Sequence, residues 1–123
     1  LERVVLIVED ESTNRKLLHD VLVACGCQPI EATNGRQAVE LAKEKKPSVV
    51  IMDIEMPVMN GLDAVRLLKS DAVTSSIPVI ALTAYATNQD RDRVLQAGFD
   101  DYLSKPVDIW VLRKKVEEYL ERS

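Results

Sequence analysis

Glu9 and Asp10 follow one short apolar run, Asp53 follows another, Thr83 a third, and Lys105 stands beside Pro106 just past a weaker fourth. Three carboxylates, a hydroxyl and an ammonium are the groups that phosphoryl chemistry uses: hard oxygen ligands for a cation, donors for phosphoryl oxygens, and a carboxylate able to act as nucleophile. Singly, each has an ordinary explanation. Glu9 and Asp10 suit the start of a helix, Asp53 a cap or turn, Thr83 any β-branched strand position, and Lys105 a solvated surface. Their joint placement at the ends of apolar runs is what sets them apart. If the carboxylates converge, each like pair repels by about 4 kcal/mol at a separation of about 4 Å and an effective dielectric of about 20, so the cluster calls for a cation. Ligation by a few carboxylates, completed by water and phosphate oxygens, suits magnesium better than calcium, which takes larger cages. Lys105 and the Thr83 hydroxyl are donors of the kind that hold phosphoryl oxygens.

Whether these groups meet depends on the elements that carry them. Runs of strand length recur at Val4 to Val8, Val49 to Met52 and Val79 to Leu82, with weaker ones at Gln28 to Glu31 and Asp101 to Leu103. Helical patterns fill the intervals. Leu17, Leu18, Val21, Leu22 and Cys25 predict one apolar face on the first helix, with Arg15, Lys16, His19 and Asp20 off it. A second helix fits Gly35 to Lys45, ended by Lys45-Lys46-Pro47, and a third fits Leu62 to Lys69. The fourth opens at Thr87, with Asp90 three residues on as a variant of the capping box, and closes at Gly98 as a left-handed cap. Its apolar anchors are chiefly Val94 and Leu95. The fifth follows Asp108 with Leu112, Val116 and Leu120 inward, which leaves Trp110 off that stripe and exposed. Strand and helix thus alternate five times, with connections too long for hairpins, and the predicted fold class is α/β, a doubly wound parallel sheet. Such sheets place ligand sites at the C-terminal tips of their strands, where Asp53 falls.

Composition narrows the function. At 123 residues, 46% hydrophobic and 29% charged, the chain predicts a single globular domain over residues 1–123 with no room for a second. A net charge of -4, with basic residues scattered among acids, argues against nucleic-acid binding. No apolar run approaches bilayer length and no signal-peptide pattern opens the chain, so a cytoplasmic protein without membrane attachment is expected. Cys25 and Cys27 are separated by one residue, which fits neither a redox pair nor a zinc half-site, and they read as reduced packing residues. Only four glycines are present and none forms GxGxxG at the first helix, which disfavours a flavin or dinucleotide.

The sequence resembles a receiver domain of two-component signalling, the response-regulator fold of the bacterial chemotaxis regulator, over essentially its whole length. The resemblance is carried by VEDE at Val8 to Glu11, MDIEMPVMNG at Met52 to Gly61, ALTA at Ala81 to Ala84 and DDYLSKP at Asp100 to Pro106. It implies a flavodoxin-like sheet in the order 2-1-3-4-5 and a phosphoryl group accepted on Asp53 from a sensor histidine kinase or a histidine phosphotransfer protein. It further implies magnesium held by Asp10, Asp53 and the backbone carbonyl of Glu55, with Glu9 acting through water, and phosphoryl oxygens held by Thr83 and Lys105. The Lys105–Pro106 peptide is expected to be cis. Thr83 and Tyr102 are the implied switch pair, changing the face of helix four, strand five and helix five for a downstream target protein.

Such a domain is no turnover enzyme, although it catalyses its own phosphorylation and dephosphorylation. Trp110 is expected at a partner or self contact, in a monomer or a weak dimer formed on phosphorylation. His19 is expected to be solvated. Glu55 departs from the amide of the chemotaxis regulator and is expected to overhang the site and alter the lifetime of the phosphoryl group. A free-standing regulator without an output domain is the first reading, and a receiver excised from a hybrid histidine kinase is the second. An aspartate-nucleophile phosphatase of the haloacid dehalogenase type, with Glu55 as general acid, and a binding module that is never phosphorylated are the rivals.

Overall fold

In the computed structural model, which describes residues 3–56, 58–84 and 87–122, strands and helices alternate along the chain. They are β1 (Val4–Val8), α1 (Ser12–Ala24), β2 (Gln28–Ala32), α2 (Gly35–Lys45), β3 (Val49–Asp53), α3 (Gly61–Ser70), β4 (Val79–Thr83), α4 (Asn88–Ala97), β5 (Asp101–Ser104) and α5 (Ile109–Arg122). The strands form one parallel sheet in the order β2-β1-β3-β4-β5. That is the flavodoxin-like arrangement expected. Every residue of β3 and β4 is buried, because helices cover both faces of a parallel sheet and its inner strands need no polar side.

Alternate strand residues feed two cores. Leu6, Val8, Val50, Met52 and Val79 pack with Val65 and Leu68 of α3 and Val94 of α4, whereas Val5, Ile7, Ile51, Ile80 and Leu82 pack with Leu18 and Leu22 of α1 and Leu112, Val116 and Leu120 of α5. Two expected anchors fail. Leu17 is 40% and Leu95 46% exposed; Leu18 takes the inward position on α1, and Val94 with the partly buried Ala97 serves α4. Tyr119 joins the buried face of α5, its hydroxyl donating to the Asp100 carbonyl at 3.2 Å. No described helix is long and apolar enough to cross a membrane.

Local chemistry fixes the helix ends. Glu11, rather than Glu9 or Asp10, caps α1 by accepting from the Asn14 amide at 2.6 Å, and Asn60 caps α3 by accepting from Asp63 at 3.0 Å. Thr87 and Asp90 form the expected capping box on α4, which ends at Gly98 with φ of +120°.

Candidate functional site

The tips of β1, β3 and β4 and the β5–α5 loop bring Glu9, Asp10, Asp53, Thr83 and Lys105 together. Carboxylate oxygens of Glu9, Asp10 and Asp53, one from each, lie within 4.8 Å of one another. Glu9 is 1% and Asp53 2% exposed, while Asp10 stands open to solvent. Lys105 Nζ donates to Asp53 Oδ2 at 2.8 Å and lies 3.5 Å from Glu9 Oε1, and the Lys105–Pro106 peptide is cis. The Glu55 amide donates to Asp53 Oδ1 at 3.0 Å. Its carboxylate does overhang the site, with Oε1 accepting from Thr83 Oγ1 at 3.3 Å. The helix-start explanation for Glu9 and Asp10 is thereby removed, since Glu11 performs that work.

Negative charge outweighs positive charge here. Burial, reinforced by the neighbouring Asp53, pushes the Glu9 carboxyl up to about 7 against the pull of Lys105. The same two causes, in that order, raise Glu55 above the usual carboxylate range. Burial pulls the Lys105 ammonium down, but its links to Asp53, Glu9 and Glu55 outweigh that and raise it. Glu9 Oε1 is buried and has no hydrogen-bond partner among the described residues. A buried carboxylate oxygen that has the Lys105 ammonium at 3.5 Å but no hydrogen bond, within an all-oxygen acid cluster, fits a hard divalent cation able to neutralise what one ammonium leaves over.

Backbone contacts aim these groups. A Cβ on Gly61 would meet the Asp53 carbonyl oxygen at 2.7 Å and Ile54 Cα at 2.8 Å, and the Gly61 amide donates to the Ile54 carbonyl at 3.0 Å. The start of α3 at Gly61 therefore packs tightly onto the strand that ends in Asp53. Pro57, in the loop between them, lies outside the described residues. Across from it, the Gly35 amide donates to the Met59 carbonyl at 3.2 Å. Arg15 went unrecognised among the polar residues of α1. Its Nη1 donates to the carbonyls of Glu9 at 3.0 Å and Asp10 at 3.3 Å. The available signal was its position one turn into the helix that follows the acid pair, within reach of carbonyls that precede the helix.

Tyr102 is half-buried beneath α4, with the Arg91 guanidinium 5.1 Å from its ring centroid. Trp110 is 76% exposed, as expected, and stands beside Arg113 rather than in the acid cluster. His19 is half-buried at a polar hollow lined also by Arg15, Lys16, Asp20 and Glu31.

Comparison with known proteins agrees with this geometry. The response regulator receiver domain family matches residues 5–117. The polar-differentiation response regulator DivK of Brucella anthropi is 40% identical over 116 residues, 94% of each chain. The receiver domain of a sensor histidine kinase from Pseudomonas aeruginosa, solved with magnesium coordinated in its active-site cleft, superposes with a TM-score of 0.91 at 31% identity, covering 98% of this chain and 99% of that one. A Saccharomyces cerevisiae receiver domain, crystallised with the histidine phosphotransfer protein upstream of it, gives 0.88 at 30% identity over 96% and 88% of the two chains.

Proposed function

The chain belongs to the response regulator receiver domain family, and from that premise we propose that Asp53 accepts a phosphoryl group from the phosphohistidine of a sensor kinase or phosphotransfer protein. The observation that carries this reading is the buried Asp53 carboxylate, 2.8 Å from Lys105, among acids whose charge a single ammonium leaves unbalanced. An Asp53 oxygen attacks phosphorus in line, an O–P bond forms, and the N–P bond to the donor imidazole breaks with its electron pair returning to nitrogen. The imidazole leaves neutral when its other nitrogen already carries a proton, and otherwise takes one from water as the bond breaks. Lys105 moves from the carboxylate to the phosphoryl oxygens, holding charge that grows equatorially.

Asp10, Asp53 and the Glu55 carbonyl would hold magnesium, with Glu9 through water, and the bound ion supplies charge neutralisation and orientation for the phosphoryl oxygens. Thr83 must give up its hydrogen bond to Glu55 before its hydroxyl can meet the phosphoryl group. Its movement opens space beside β4 for the Tyr102 ring, which then leaves Arg91, and the α4–β5–α5 face changes for a target protein. Receiver domains are signalling modules, and this one lets a partner read the mark by contact. The magnesium-loaded Pseudomonas receiver and the yeast receiver bound to its phosphotransfer protein support extending both the ion and the donor class to this chain.

Intact mass after incubation with acetyl phosphate and magnesium tests the proposal. A single phosphoryl adduct is expected for the wild type and none for Asp53→Asn or with chelator present. No adduct from either acetyl phosphate or a phosphohistidine donor would leave a binding module built on this fold.

A further inference from the structure

The acids of the β1 tip lie on backbone that neither sheet nor helix fully secures. The α1 hydrogen-bond ladder begins at the Glu11 carbonyl, which accepts from the Arg15 amide at 3.0 Å. The carbonyls of Glu9 and Asp10 precede that ladder, and the carbonyl of the buried Glu9 needs a partner from elsewhere, while that of Asp10 lies open to solvent. Arg15 reaches both from its side chain. Nη1 bridges both carbonyls at 3.0 and 3.3 Å, and Nε lies 3.5 Å from Glu31 of β2. From the other side, the Glu9 amide donates to the Ala32 carbonyl of β2 at 3.0 Å. The turn from β1 into α1 is thus gripped on both sides of Glu9.

Arg15 and Lys105 treat the cluster differently. Lys105 binds carboxylate oxygens of the cluster, the same atoms a cation would use, whereas Arg15 meets Glu9 and Asp10 at their carbonyls and spends its carboxylate contact on Glu31, outside the cluster. A guanidinium suits this task because its planar fork presents several donors at fixed angles. We propose that Arg15 is a positioning residue for the divalent cation: by clamping the Glu9 and Asp10 carbonyls it holds the two carboxylates toward Asp53 without competing for the ligand oxygens. The inference rests on the reading of Glu9, Asp10 and Asp53 as the magnesium site.

Titrating MgCl2 into unphosphorylated protein, followed by amide chemical shifts, tests it without reference to activity. Arg15→Met, which keeps an apolar stem and loses the donors, is expected to bind magnesium about tenfold more weakly, the lower end of what loss of a supporting partner costs a metal site. Arg15→Lys, with one cationic donor, falls between. Lys16→Met, which removes an equal charge from an exposed neighbour on the same helix, stays at the wild-type affinity. With acetyl phosphate, the magnesium concentration for half-maximal phosphorylation rises in Arg15→Met, and the limiting rate at saturating magnesium recovers.

Wild-type affinity in a folded Arg15→Met, or an equal loss in Lys16→Met, would overturn the assignment, the second by showing a general charge effect. If Arg15→Met does not fold by circular dichroism, Arg15→Lys decides, and wild-type affinity in that variant overturns the proposal as well. A wild type whose shifts ignore magnesium would remove the metal site and this inference together, which separates that failure from the others.

Discussion

Glu9 carries a proton in the fold at pH values where an unfolded glutamate has lost it, since burial and the adjacent Asp53 push its carboxyl from 4.5 up to about 7. Between those values the native state binds more protons than the unfolded chain, so its stability falls as pH rises through the window and levels off above about 7. In metal-free protein with chelator, urea midpoints are expected to decline across this range for the wild type, and the part due to Glu9, about 1–3 kcal/mol, to vanish in Glu9→Gln. Equal slopes for the two proteins would place the titration elsewhere. Lys105 gives the complementary test. Its side chain is only 24% exposed and offsets two nearly inaccessible carboxylates, so Lys105→Met is expected to cost about 1–3 kcal/mol in chelator, reduced from a fully buried pair by its contact with solvent. Magnesium should narrow the deficit, because a cation replaces the missing ammonium. Denaturant melts with and without MgCl2 check this, and an unchanged gap would mean that the ion binds away from Asp53.

Among the elements, the loop after β3 and helix α4 have opposite duties. That loop closes at Gly61, the first residue of α3, where any side chain strikes backbone atoms of Asp53 and Ile54. Gly61→Ala is expected to lose about 1–3 kcal/mol of stability and to slow phosphoryl uptake, because the tip of β3 has to shift to admit a methyl group. A variant with normal melting and normal uptake would show that the loop yields freely. Helix α4 is lightly held, with Val94 its one buried residue among those described, and it relies on the Thr87–Asp90 capping box. Thr87→Ala is expected to remove about 1 kcal/mol. Hydrogen exchange should speed up in α4 while β1 and β3 keep their protection; equal acceleration throughout would indicate that α4 opens only with the whole fold.

At the scale of the molecule, four crossovers assemble a site from residues 9, 10, 53, 83 and 105 by setting four strand tips on one edge. Trp110, exposed on α5, takes no part in that assembly. Trp110→Ala is expected to change stability by less than about 0.5 kcal/mol, while its capture of a partner protein should fall if the residue lies at a contact; a larger stability loss by urea titration would make it structural. Much of the rest was legible in the chain itself. The β1, β3 and β4 runs could be read because inner parallel strands are apolar throughout, whereas β2, with Gln28, Pro29 and Glu31 on a sheet edge, left a weaker trace. Residue types and motif spacing determined the fold class, the cluster of acids, hydroxyl and ammonium, and the chemistry they suit. Tertiary structure alone decided which of Glu9, Asp10 and Glu11 caps α1, whether Leu17 or Leu18 faces the core, and that Arg15 turns back to the acid-bearing carbonyls. Those choices lie between adjacent residues of like chemistry, and only the positions of neighbouring elements can break the tie.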